Sequence, residues 1–262
     1  MRVCVLGSGS GGNCTYLSTP RVSVLVDLGF GKRSLDRRLS EAQLANGKID
    51  AVFLTHGHFD HFSGVIGLAC ENQIPVFMTA GTYEEASDLA LLPSVEIVRP
   101  GQSVTLGDLS ATAFAISHDS AEPVGFRFEA EGIRGALATD LGEITPEVAG
   151  CLRDRDWLIL ESNHDENLLR LGPYPWPLKQ RLLSRVGHLS NHSLGCFLTG
   201  DFDGNAAHLF LAHLSRQNND PHLALDTAWR ALKDRPGVNG DADTRWSLHL
   251  TEQTKPSIVL DL

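Results

Sequence analysis

The chain has 262 residues, 42% of them hydrophobic, enough for one large domain whose core is buried on both sides of a sheet, so that no second domain is needed. A formal net charge of −10 argues against the overall basic footprint usual in nucleic-acid binders, and no apolar run approaches the ~20 residues of a membrane helix. Five cysteines, Cys4, Cys14, Cys70, Cys151 and Cys196, form no C-x-x-C pair and no even set, which speaks against a disulfide scaffold and for a reducing compartment. The apolar run Val3–Leu6 is too short for a signal-peptide core, so the expected location is the cytoplasm.

Strand-like runs at Arg2–Leu6, Cys14–Ser18 and Val22–Asp27, separated by the glycine-rich turn Gly7–Gly12 and by Thr19-Pro20, predict an antiparallel meander. Ser34 is placed to cap a helix reaching about Leu44, with Leu35, Leu39 and Leu44 as its buried stripe. A strand Ala51–Thr55 then leads into a histidine-rich loop, a helix near Phe62–Asn72, a strand Pro75–Met78 and a helix near Tyr83–Leu91. Strands are expected at Val95–Val98, Ser103–Leu106, Leu109–Ile116, Val124–Ala130 and Gly135–Ala138, then a helix Pro146–Cys151 and a strand Trp157–Leu160 that ends at Glu161. From there the pattern is mainly helical to Ala231, and Trp246–Leu250 and Ser257–Leu260 read as closing strands.

The loop after Ala51–Leu54 reads Thr55-His56-Gly57-His58-Phe59-Asp60-His61. Residues two apart on an extended segment point the same way, so His56 and His58 can share one metal ion, while the turn that follows sends Asp60 and His61 toward a second. A lone histidine would carry no such reading. Three histidines and an aspartate at the end of a buried strand, where an uncoordinated carboxylate is costly, describe a two-metal site.

The H-x-H-x-D-H pattern, with Asp27 ending the earlier strand, resembles the metallo-β-lactamase superfamily. The segments Gly7–Cys14, Glu161–Asp165, Tyr174–Lys179, Gly187–Asn191 and His213-Leu214-Ser215 resemble its bacterial YycJ (WalJ) branch, DNA exonucleases related to ribonuclease Z. Gly57 stands where that branch commonly carries an acidic residue. The resemblance implies an α/β (α+β) fold, the four-layer αββα sandwich, over 1–262 as a single domain. It also implies two divalent metal ions, Zn2+ or Mn2+ with iron possible from the donor types. One would be held by His56, His58, His118 and Asp140, the other by Asp60, His61, Asp140 and His213, with Asp140 bridging. By the same resemblance Asp60 ligates and orients the hydroxide nucleophile held between the metals and accepts its proton as it attacks. His188 protonates the leaving 3′ oxygen or holds the phosphate, against the simpler reading of a surface histidine before a helix. Asp27 reads as a buried brace for the metal loop and His164 as a support behind the metals or phosphate.

Ser190 and Asn191 stand at a helix start that could receive phosphate, although Asn191 could equally serve as a plain cap. Between Leu168 and His188 the chain carries Arg170, Lys179, Arg181 and Arg185 with no acid, interleaved with Tyr174 and Trp176. That stretch is either a basic, aromatic mouth for a phosphodiester, with Arg181 as a substrate contact, or a solvated helix face. Together these features predict a metal-dependent phosphodiesterase, an exonuclease acting on DNA ahead of RNA, with no membrane partner. Two alternatives remain: a thioester hydrolase of the glyoxalase II type, and a non-catalytic metal-stabilised binding module.

Overall fold

The computed structural model describes residues 1–44, 48–236 and 245–262. They form two compact units, one of Met1–Ala115, Ser120–Ile133 and Thr251–Leu262, the other of Ile116–Asp119 and Arg134–Leu250.

The first unit holds a seven-stranded sheet in the order β14-β1-β2-β3-β4-β5-β6. Its strands are β1 (Arg2–Gly7), β2 (Cys14–Ser18), β3 (Ser23–Val26), β4 (Ala51–Phe53), β5 (Val76–Met78), β6 (Val95–Ile97) and β14 (Leu260–Asp261). The glycine turn and the Thr19-Pro20 corner make β1–β3 the expected antiparallel meander, with Val3 opposite Leu17 and Leu17 opposite Val24. From β3 onward pairing is parallel, Val26 against Phe53 and Phe53 against Phe77. Parallel strands are covered on both faces, hence the unbroken apolar runs. The helices α1 (Lys32–Glu41) and α3 (Val65–Asn72) bury Leu35 and Leu39, and Val65, Leu68 and Ala69, in one core with Leu6, Leu25, Leu54 and Met78. Full burial of each such side chain is worth about 1.5–3 kcal/mol. An antiparallel meander of β7 (Ser103–Leu106), β8 (Leu109–Ala115) and β9 (Val124–Ala130) adds Phe126 and Phe128, whose rings lie 5.3 and 5.9 Å from that of Phe53.

Several boundaries differ from expectation. Helix α1 starts at Gly31 with no side-chain cap, so Ser34 lies within its first turn. In place of one helix at Tyr83–Leu91 the chain forms α4 (Ala80–Glu85), whose N-terminal amide at Thr82 is capped by the Thr79 side chain, then a 3₁₀ turn at Ser87–Leu91. The last strand is only Leu260–Asp261.

The second unit is built on four parallel strands, β10 (Ile133–Ala138), β11 (Trp157–Glu161), β12 (His208–Ala212) and β13 (Ser247–Leu250), in that order. Strand β12 interrupts the stretch expected to be mainly helical to Ala231. Around it are α5 (Pro146–Cys151), α6 (Glu166–Leu171), α7 (Trp176–Leu182), α8 (Asn191–Gly200) and α9 (Pro221–Lys233). Helices α8 and α9 approach closely because Gly195 faces Thr227 and Ala231, where an added Cβ would already lie 3.4 and 3.7 Å away. In both units the polar residues of interest lie at the carboxyl ends of parallel strands, where α/β sheets place their ligands. Among the described residues no helix is long and apolar enough to cross a membrane.

Candidate functional site

In the first unit, β4 delivers Thr55 and His56 into the loop, and α2 (Phe59–Phe62) begins at His58. The Asp27 carboxylate, 3% exposed at the end of β3, accepts the Thr55 backbone N–H at 2.9 Å, the Thr55 hydroxyl at 2.9 and 3.1 Å, and His61 Nδ1 at 2.8 Å. A carboxylate on Nδ1 fixes the proton there and leaves the Nε2 lone pair of His61 as an acceptor, an arrangement common behind metal-binding histidines. His56 Nε2 and His58 Nδ1 are 3.1 Å apart. Two nitrogens bound at about 2.0–2.1 Å to one tetrahedral ion would be separated by about 3.3 Å, so the pair fits a shared cation. Asp60 Oδ2 lies 3.9 Å from His61 Nε2, again facing its ring neighbour.

Two supports here were not read from the sequence. Asn13 closes the glycine turn, with Oδ1 accepting Gly9 N–H at 2.7 Å and Nδ2 donating to His61 Nε2 at 2.9 Å, while its backbone N–H bonds Asp60 O at 2.8 Å. Gly29 admits this approach, since a Cβ there would lie 1.7 Å from Asp60 O. A Cβ at Gly57 would lie 2.7 Å from Oε2 of Glu85, a carboxylate that accepts Ser120 Oγ–H and, at 3.1 Å, the Ala121 N–H. Glu85 thus occupies the space next to the metal loop.

In the second unit the organising residue is Glu161, which the sequence marks as a strand end and as part of the branch-like segment Glu161–Asp165, with no role of its own. Its fully buried carboxylate accepts His188 Nδ1 at 2.7 Å and His213 Nδ1 at 2.9 Å on Oε1, and the Leu141 and Leu189 N–H groups at 2.8 and 3.3 Å on Oε2. Burial would raise its pKa, but the charge and hydrogen bond of His188, with the hydrogen bond of His213, take it down to about 2. Both rings therefore turn Nε2 outward, that of His213 lying 3.4 Å from Asp140 Oδ1. Burial by itself would lower the His188 imidazole, but the charge and hydrogen bond of Glu161, with the charge of Asp140, push it up to about 9. One donor atom from each of Asp140, Glu161, His188 and His213 lies within 4.8 Å of the rest, a set of nitrogens and carboxylate oxygens suited to a divalent cation.

His118 donates Nδ1–H to Gly187 O at 3.1 Å, with Nε2 lying 3.3 Å from Asp119 Oδ1, and burial lowers its pKa. Asp27, Asp140 and His213 all adopt left-handed backbone, with φ of 60°, 57° and 56°. Each turns the chain within one residue at a strand end and aims its side chain away from the strand.

The remaining sequence candidates are placed differently. Ser190 and Asn191 are 4% and 3% exposed. Ser190 Oγ caps α8 by accepting Ser193 N–H at 3.0 Å, and Asn191 Oδ1 accepts the Ser162 hydroxyl at 2.7 Å. Both side chains are thus engaged inside the unit. The stretch open between a basic mouth and a solvated helix face carries exposed arginines that meet acids from outside it. Lys179 turns inward, donating to Arg170 O and Gly172 O at 2.7 Å each, and Arg170 pairs with Glu166 at 2.9 Å. Arg185 meets Glu143 at 3.6 Å, and Arg181 pairs with Asp119, whose other oxygen is 3.3 Å from His118 Nε2. The sequence showed no acid within the stretch, but the acids come from outside it.

His164 is 1% exposed, and burial lowers its imidazole to about 4. Unfolded, the same group titrates near 6.5. Below pH 6.5 the unfolded chain therefore binds a proton that the folded chain refuses, and the folded state loses up to about 3 kcal/mol on this account as pH falls to 4. Above pH 6.5 the effect vanishes. In urea denaturation of the metal-depleted protein at pH 7 and 4.5, His164→Gln should lose about 2–3 kcal/mol less than the parent on acidification. Equal acid losses in both would refute this assignment.

Residues 23–200 match the family model described as the beta-lactamase superfamily domain. Exodeoxyribonuclease YycJ of Bacillus anthracis is 32% identical over 258 residues, which cover 97% of this chain and 97% of the relative. The chain belongs to the metallo-β-lactamase superfamily. Exodeoxyribonuclease WalJ of Streptococcus pneumoniae is 34% identical over 225 residues, 84% of each chain, which places it in the YycJ/WalJ branch. Among solved structures, the metallo-β-lactamase fold protein YhfI from Bacillus subtilis superposes with a TM-score of 0.70 over 99% of both chains at 18% identity, a likeness of fold alone. The expected α/β fold class is the one found, and this superfamily member is a metal-dependent hydrolase.

Proposed function

We propose that residues 1–262 work as one hydrolase domain, a metal-dependent nuclease that degrades DNA from an end. The names of its 32–34% identical relatives support the substrate class. The single structural observation that carries the chemistry is Glu161, which holds His188 and His213 by their Nδ1 atoms at 2.7 and 2.9 Å and gives two neighbouring imidazoles different tasks.

The metal assignment follows the superfamily's pattern, with His56, His58, His118 and Asp140 for one ion and Asp60, His61, Asp140 and His213 for the other. Support within each unit is the nitrogen pair of His56 and His58 and the oxygen–nitrogen cluster around Asp140. Zinc or manganese suits these donors, with iron as a third choice. Divalent ions there would polarise the phosphate and make a strong nucleophile available at neutral pH. Asp60, exposed enough to meet solvent, accepts the proton of the attacking water. His188 keeps a proton on Nε2 because Glu161 occupies Nδ1 and stabilises the imidazolium, so it can protonate the departing 3′ oxygen. A cation held at Asp140 would draw the His188 pKa back toward neutrality, where an acid catalyst is most effective. The five free thiols suit a cytoplasmic setting.

Protein loaded separately with zinc and manganese is expected to shorten 5′- or 3′-labelled DNA stepwise, faster than RNA, and to leave a thioester intact. His188→Ala should lower turnover by about 10²–10⁴-fold at unchanged metal content. Thioester hydrolysis without nucleic-acid cleavage would favour the glyoxalase II-type reading. Nucleic-acid affinity without turnover would favour the binding module.

A further inference from the structure

Phe59 lies between His58 and Asp60 and is 72% exposed, although His56 and His61 beside it are fully buried. A single exposed apolar residue is ordinary on any protein surface. Here position and support set it apart. Its backbone is bonded directly to those of His58 and Asp60, about 3.8 Å from each Cα to Cα, so the exposed ring starts from within the metal-ligand motif itself. It is also the first residue of α2, and its ring meets that of Phe62 in a T-shaped contact with centroids 5.8 Å apart at 80°. Phe62 is 6% exposed and part of the core, so it gives the outer ring a rigid backing and leaves its remaining surface open.

A flat apolar surface offers nothing to a phosphate or a sugar hydroxyl, and every nucleobase has a matching face. We infer that Phe59 is the stacking platform for the base adjoining the scissile phosphate, an inference that rests on the nuclease reading above. Because every base carries a π-face, such a platform fixes the terminal nucleotide without selecting its sequence, as an exonuclease advancing along a strand requires.

Two measurements test it. In metal-depleted protein, an oligonucleotide ending in 2-aminopurine should be quenched on binding, and Phe59→Ala should abolish the quenching while Phe59→Trp keeps it. In metal-loaded protein, Phe59→Ala should lower kcat/KM by about 5- to 150-fold on an ordinary end and leave an abasic end unchanged. Phe59→Leu should fail to rescue and Phe59→Trp should succeed. Equal losses on ordinary and abasic ends, full rescue by leucine, or quenching that survives in Phe59→Ala would overturn the platform. If the parent protein cleaves no oligonucleotide with either metal, the nuclease reading itself fails and takes this inference with it, whereas cleavage with an indifferent Phe59→Ala sinks the platform alone. The metal-free quenching keeps the test decisive even if the substitution disturbs metal loading.

Discussion

Replacing Glu161 with glutamine is expected to disable the second unit's half of the site more thoroughly than loss of either histidine it holds. Its carboxylate receives four donors, two imidazole Nδ1 atoms on one oxygen and two backbone N–H groups on the other. An amide can present an acceptor to only one side. With its oxygen toward the histidines, the NH2 group confronts the Leu141 and Leu189 amides; flipped, it forces both rings to exchange tautomers and withdraw their outward nitrogens. Breaking a buried charge arrangement by altering one partner typically costs 3–5 kcal/mol, about 6–20 °C in melting temperature for a protein of this size. His188 also loses the charge that holds its proton, so turnover should fall by about 10²-fold or more. Glu161→Asp, one methylene shorter, should be defective as well. Urea denaturation of metal-depleted protein and single-turnover kinetics are the measurements. An unchanged denaturation midpoint together with unchanged turnover in Glu161→Gln would remove Glu161 from the centre of the account.

The second large effect is expected at Asp27, where stability and metal binding can be separated. Asp27→Ala strands the Thr55 N–H, the Thr55 hydroxyl and His61 Nδ1, all buried, at about 1–3 kcal/mol for each donor left unmet. Asp27→Asn keeps an oxygen for the Thr55 amide and tolerates the left-handed backbone, so its stability should stay within about 1 kcal/mol of the parent. Its NH2 group then faces His61 Nδ1 and drives the ring proton to Nε2, the atom proposed to bind metal. Metal affinity measured by chelator competition should fall about 10- to 100-fold in a protein that still folds. Parental affinity in Asp27→Asn would show that His61 needs no such brace.

What the sequence revealed and concealed follows from the distance between partners. The motif from His56 to His61 is legible because its donors are neighbours on one strand end, and His118, Asp140 and His213 stand out as polar residues closing apolar runs. Glu161 closes such a run too and opens a branch-like segment, but nothing local to it tells what it holds, since its two histidines come from 27 and 52 residues away. The partners of the arginines were hidden for the same reason: the acid that meets Arg181 is 62 residues distant. The apolar run before His213 is strand β12, too short at five residues to show a decisive period and set in a stretch that is otherwise mainly helical. Its register against β11 and β13 on either side is what makes it a strand.

The left-handed backbone at Asp27, Asp140 and His213 restricts how this centre can change. Asparagine, aspartate and histidine enter that conformation several-fold more readily than other non-glycine residues, and β-branched side chains scarcely enter it at all. Glu122 and Glu131 of the same chain also adopt it, with φ of 48° and 52°, so a glutamate is tolerated by the bend. A valine, isoleucine or threonine tried at one of the three positions would incur a backbone penalty of about 1–3 kcal/mol. Chain geometry thus narrows the side chains these bends can present before any chemistry selects among them.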